Sequence, residues 1–144
     1  MSQTNSQTSS LPGDFIQFFD QDPFHQYLGL TLDEHGADFA RIRLSITEST
    51  PTGIGGSVNG GAIATLIDMA AVTAVFTNLQ EGSTPAGTAD MSVTYLRQSH
   101  GAWIEAEAHL VKRGKQLCTI EVKVRDEQGA LCAIGRVLYS CRAS

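Results

Sequence analysis

One carboxylate stands out against its surroundings. Asp68 lies within residues 62–76, a stretch whose only other polar side chains are Thr65 and Thr73. An ionised carboxylate amid apolar side chains is costly unless it is paired, hydrogen-bonded or used. Just upstream, Asn59 is followed by the pair Gly60 and Gly61. Glycines at a helix start leave backbone N–H groups open at the positive end of the helix dipole, a ready site for a developing oxyanion. Asp68, two turns further on, is expected to present a base or nucleophile near the same point. Together these are the parts that acyl transfer to water requires. The structural alternative is an Asp68 that caps or hydrogen-bonds a neighbouring loop.

Other signals for chemistry fail on spacing. Gly56 to Gly61 is followed by Ala62-Ile63 and not by Lys-Ser/Thr, so it is no phosphate loop. Gly53, Gly55 and Gly56 miss the dinucleotide pattern, and Ser57 sits in a near miss to G-x-S-x-G on a chain too short for an α/β hydrolase. His25, His35, His100 and His109 are scattered without metal-ligand spacing, so no metal is expected. His35 and His100 fall in expected turns, and His25 lies where an N-terminal segment can fold over a neighbouring site. Cys118, Cys132 and Cys141 form no C-x-x-C pair and read as reduced thiols of a cytoplasmic protein.

The elements that must hold these residues follow from periodicity. Residues 1–12 lack both a basic and an apolar block and are expected to be a disordered tail, with one domain over 13–144. A short amphipathic helix is expected near residues 14–19, with a turn around Pro23. Ala40, Ile42, Leu44 and Ile46 alternate with Arg41, Arg43 and Ser45, which marks a half-buried strand, paired with residues 29–34 through a turn at His35-Gly36. Residues 62–79 hold no Gly or Pro and are apolar almost all round, a helix that other elements must cover. Four strand-like runs follow at 88–96, 103–112, 117–126 and 130–140, with short links that imply antiparallel neighbours. Ala106 and Ala108 on an inward face leave room for the helix to lie close. The fold class is α+β: an antiparallel sheet of about six strands curled around one long helix.

Composition narrows the partners. The chain has 144 residues, 42% hydrophobic and 17% charged, with a formal net charge of -5, which argues against nucleic acid and against a polybasic membrane surface. The apolar run is too short to span a bilayer. The charge is uneven: residues 1–96 carry ten acids and two bases, residues 97–144 five acids and eight bases.

The segment NGGAIATLIDMAA resembles the HGG-x6-D/E helix signature of hotdog-fold acyl-CoA thioesterases, in particular the PaaI-like group. Tyr27-Leu28-Gly29-Leu30 is similar to that family's opening strand, residues 90–97 (DMSVTYLR) to its strand after the helix, and Arg113-Gly114-Lys115 to its basic turn. The resemblance implies a sheet-wrapped helix, homodimers or homotetramers with a continuous sheet, and active sites at the dimer interface. It implies Asp68 as general base or nucleophile and Gly60 as the N–H donor that polarises the thioester carbonyl. Thr88 would help hold the water, donated across the dimer, the structural alternative being a simple strand residue. Two departures are visible. Asn59 replaces the family's His and cannot exchange a proton near neutral pH. The upstream Asn or Gln that commonly assists the carboxylate is missing near Gly53, where only Thr50 and Thr52 are available.

The implied substrate is an acyl-CoA, with aryl and medium-chain acyl groups as candidates. Coenzyme A belongs to the substrate, so no cofactor is expected. Gly61, Arg113, Lys115 and Arg97 or Arg136 are the candidates for holding substrate, the cations through its phosphates, the structural alternative being a solvated strand face like that of Lys123 and Arg125. The alternative function is a non-catalytic hotdog domain that binds acyl-CoA or a protein partner. Thioester hydration is disfavoured because no His occurs between residues 36 and 99.

Overall fold

A computed structural model describes residues 12–143. The expected tail therefore lies outside the described residues, apart from Pro12, which opens the first helix. That helix, α1 (Pro12–Gln17), leads through a single 3-10 turn to α2 (Pro23–Leu28). Pro23 starts a helix where a turn was expected. Its fixed φ suits the first helical position, and Asp22 caps the end by accepting from the N–H groups of Phe24 (2.9 Å) and His25 (3.4 Å). His25 does not reach out over a site. It is buried, its Nδ1–H donates to the Phe19 carbonyl (2.8 Å), and its ring stacks on Phe19.

Strands β1 (Leu30–Gly36) and β2 (Phe39–Ser45) pair antiparallel. Their turn is at Ala37–Asp38, two residues later than expected. Asp38 adopts φ 62°, a conformation Asp tolerates, and its N–H donates to Thr77 Oγ1 (2.9 Å). Helix α3 (Gly60–Phe76) follows, then β3 (Ser83–Tyr95), β4 (Trp103–Arg113), β5 (Leu117–Asp126) and β6 (Leu131–Ala143). All strands join one antiparallel sheet in the order β1-β2-β4-β5-β6-β3. The helix thus carries the chain from β2, near one edge, to β3 at the other, and it packs against all six strands on the way. This is the sheet-wrapped helix of the hotdog fold.

The alternation read from the sequence gives the core. Cys118, Ile120, Val122 and Val124 of β5 face inward and are buried, as are Ala40, Ile42 and Leu44 of β2 and Ile104, Ala106 and Ala108 of β4. The close approach is tightest at Gly135 of β6, where an added Cβ would lie 2.8 Å from Ile67 Cγ2. No helix among the described residues is long and apolar enough to cross a membrane.

Candidate active site

Asn59 is the N-cap of α3, an extended residue whose Oδ1 accepts from Gly61 N–H (2.7 Å) and Ala62 N–H (3.4 Å). The side chain that replaces the family's His therefore closes two of the helix's open donors. It leaves Gly60 N–H, which meets no acceptor among the described residues. The Gly60 carbonyl accepts from Tyr95 Oη (2.6 Å), and the Tyr95 ring covers the place where a side chain at Gly60 would begin, 3.4 Å from an ideal Cβ.

Asp68 is only half-buried, not enclosed as the apolar context suggested. It emerges at the margin of α3 beside the edge strand β3, and its Oδ1 accepts from Thr88 Oγ1 (2.7 Å). The contact expected across a dimer is made within one chain. The register explains it. β3 breaks step with β6 between Pro85 and Gly87 and again between Thr88 and Asp90. Cross-strand partners share a face, and bulges re-aim side chains. Thr88 sits opposite Tyr139 and Tyr95 opposite Ala133, and both partners are buried against the helix. Seven residues apart, Thr88 and Tyr95 would face opposite ways in a regular strand; the bulge turns both toward α3. Tyr139 Oη lies in the same neighbourhood. Burial pushes its pKa up to about 12, helped by Cys141 and by the nearby Asp68 charge.

One expectation fails on length. Gly60 and Asp68 are eight residues apart on a straight helix, about 12 Å along its axis. A single carbonyl cannot meet both from the same chain, because donor and attacking group must each come within about 3 Å of the reacting atoms. Within one chain the two parts stand at separate stations, each attended by β3: Thr88 at Asp68 and Tyr95 at Gly60.

The candidate phosphate contacts are spread over several elements. Arg113 Nη2 donates to Asp38 Oδ1 (2.9 Å) and to the Val75 carbonyl (3.2 Å), so it fastens the end of α3 to the β1–β2 turn. With Lys115, Glu81, Cys118 and Cys141 it lines a cavity of about 420 Å³. Asp38 and Glu81 set two acids beside the two cations in that cavity, and the Arg113 guanidinium is engaged by Asp38 within the chain. Lys115 is exposed in the β4–β5 turn, Arg97 is exposed just after β3, and Arg136 faces Glu121 at 3.7 Å on the outer sheet face. Gly61, expected to touch substrate, donates its N–H to the cap. No cluster of three or more His, Cys, Asp or Glu suited to a metal occurs among the described residues.

Tyr95 and Tyr139 were missed by sequence reasoning. A polar aromatic near the end of the strand after the helix is the only hint available, and the bulge at Ala89 that puts Tyr95 on the same face as Thr88 has no signature in the sequence. Comparisons with known proteins bear on the family and the fold. A medium/long-chain acyl-CoA thioesterase of Escherichia coli, YigI, is 26% identical over 133 residues, 81% of this chain and 84% of its own. A candidate esterase of Halobacterium salinarum is 33% identical over 119 residues, 76% of this chain and 78% of its own. The Escherichia coli PaaI protein superposes with a TM-score of 0.73 at 19% identity, over 97% of this chain and 99% of that one, a likeness of fold. The family model described as Thioesterase superfamily matches residues 55–133, more than half of the sequence, and the protein belongs to that superfamily.

Proposed function

We propose that the protein is an acyl-CoA thioesterase whose sites are completed between two copies, Gly60 N–H from one chain and Asp68 with Thr88 from the other. The reading is carried by the half-exposed Asp68 carboxylate held by Thr88 at 2.7 Å, on an otherwise apolar helix of a thioesterase-superfamily fold. The open Gly60 N–H at the helix start donates to the negative charge that gathers on the thioester oxygen during attack. Asp68 takes the proton of the attacking water or attacks the carbonyl itself. Either route ends in free acid and coenzyme A. The 12 Å between the two stations favours a partner chain, and β3, a 13-residue edge strand with Met91 and Tyr95 exposed, is the surface for a continuous sheet. The name of the YigI relative supports medium-chain acyl groups as first candidates, beside the aryl groups of the PaaI resemblance.

The deciding experiment is thiol release across aryl, short, medium and long acyl-CoAs for the parent and Asp68→Asn. The variant keeps shape and charge-free hydrogen bonding but loses the base, so turnover should fall about 10²–10⁴-fold with an unchanged circular dichroism spectrum. Equal turnover by parent and variant overturns the assignment. A second reading draws on Asn59, whose engaged oxygen supplies no exchangeable proton. It is binding of acyl-CoA without turnover, and calorimetric binding by a parent that releases no thiol would establish it.

A further inference from the structure

Tyr95 is half exposed, on the last position of β3, with its hydroxyl on a backbone carbonyl of the helix's first turn. A tyrosine oxygen at a strand end ordinarily turns to water. Here it approaches Gly60 O to 2.6 Å, while Cζ and Oη sit 3.4 Å from an ideal Cβ at Gly60 and Cε1 sits 3.6 Å away. The peptide that carries Gly60 N–H is held on its near side, where the Asn59 carbonyl accepts from Ile63 N–H (3.1 Å), and Asn59 Oδ1 accepts from the next N–H, that of Gly61 (2.7 Å). Gly60 has no side chain to restrain it, and a glycine at a helix end is the residue most free to turn its N–H away. The Tyr95 hydroxyl, on the Gly60 carbonyl, is the restraint on its far side, and the ring lies where a side chain at Gly60 would begin.

We propose that Tyr95 is a positioning residue that locks the Gly60 N–H toward the thioester oxygen. This rests on the thioesterase reading above. It goes further by assigning the aim of the oxyanion donor to a side chain outside the helix motif. The same strand then serves both stations, Thr88 on the carboxylate and Tyr95 on the donor.

Aim of a donor acts on the charge that develops in the transition state, so removing the hydroxyl should lower kcat and leave KM in place. Tyr95→Phe keeps the ring and loses one hydrogen bond, for which about a tenfold drop in kcat is expected, read by single-turnover thiol release. The distinguishing arm repeats the change in Gly60→Pro, which deletes the N–H while Pro suits the first helical position. With no donor left to aim, Tyr95→Phe should then cost less than about twofold, a coupling that a purely structural role would not produce. Equal losses in both backgrounds, or kcat unchanged in Tyr95→Phe, overturn the inference. Asp68→Asn is run alongside: full activity there defeats the thioesterase mechanism itself, whereas an inactive Asp68→Asn beside an unaffected Tyr95→Phe defeats only the role of Tyr95.

Discussion

A backbone donor can be tested at Gly60 because the local conformation permits it. Asn59 has φ −56° and ψ 137°, the region that a residue before proline adopts, and Gly60 is the first helical residue. Gly60→Pro and Gly60→Ala crowd the Tyr95 ring alike, since both place a Cβ about 3.4 Å from it. Only Pro removes the N–H. The expected result is a loss of about 10²–10³ in kcat for Pro, with Ala far closer to the parent, measured by thiol release on the best acyl-CoA. Similar losses in both would make the site a matter of space and not of the donor. Asp68 and Gly60 were legible because each breaks a local rule, a charge in an apolar run and paired glycines at a helix start, whereas Asn59 was read only as the residue in place of the family's His and its capping role came with the structure. Thr88 was reached through resemblance alone. Tyr95 and Tyr139 were not: Tyr95 meets Gly60 across 35 residues of sequence, and Tyr139 comes to the neighbourhood of Asp68 only through the pairing of β6 with β3.

At the scale of the element, helix α3 is held to the sheet by what is absent. Ala106, Ala108 and Ala133 are fully buried beneath it, and at Gly135 even one methyl would strike Ile67 at 2.8 Å. Gly135→Val should therefore destabilise by about 1–3 kcal/mol, as overpacking does, and Ile67→Ala in the same chain should recover part of it. Chemical denaturation midpoints read both. An additive, independent loss would mean that the helix does not rest on Gly135. The alanine face was legible from alternation in β4, and so was the helix that it receives. The strand ends were not. β3 begins at Ser83, five residues before its apolar alternation, because pairing with β6 runs through Pro85 and two bulges that a period-2 pattern cannot carry. Those bulges turn Thr88 toward Asp68, so the detail lost from the pattern is the one that builds the site.

Across the whole molecule, the uneven charge read along the sequence does not survive folding as two halves. Arg41 and Arg43 of β2 pair with Glu107 and Glu105 of β4, and Arg113 pairs with Asp38. The buried titratable groups shape stability instead. Tyr139 has its ordinary value of 10 raised to about 12, so the fold favours the neutral phenol. That contribution is whole below pH 10 and is lost as pH rises toward 12, up to about 3 kcal/mol. Cys118, whose thiol burial also pushes up, acts in the same direction above pH 9. Tyr139→Phe should flatten the fall of the denaturation midpoint between pH 10 and 11.5, while an unchanged slope would exclude Tyr139 as its source. The largest consequence comes from the length of one helix. With Gly60 and Asp68 about 12 Å apart, two chains that each lack one part should repair each other when mixed. In a pair of Asp68→Asn with Gly60→Pro, one site holds both defects and the other holds neither. Equal mixing with free exchange makes half the dimers mixed, each with one intact site, so about a quarter of parental turnover should return from two nearly inactive proteins. Sites completed within a single chain would return nothing on mixing, because every chain would carry its own defect into its own site.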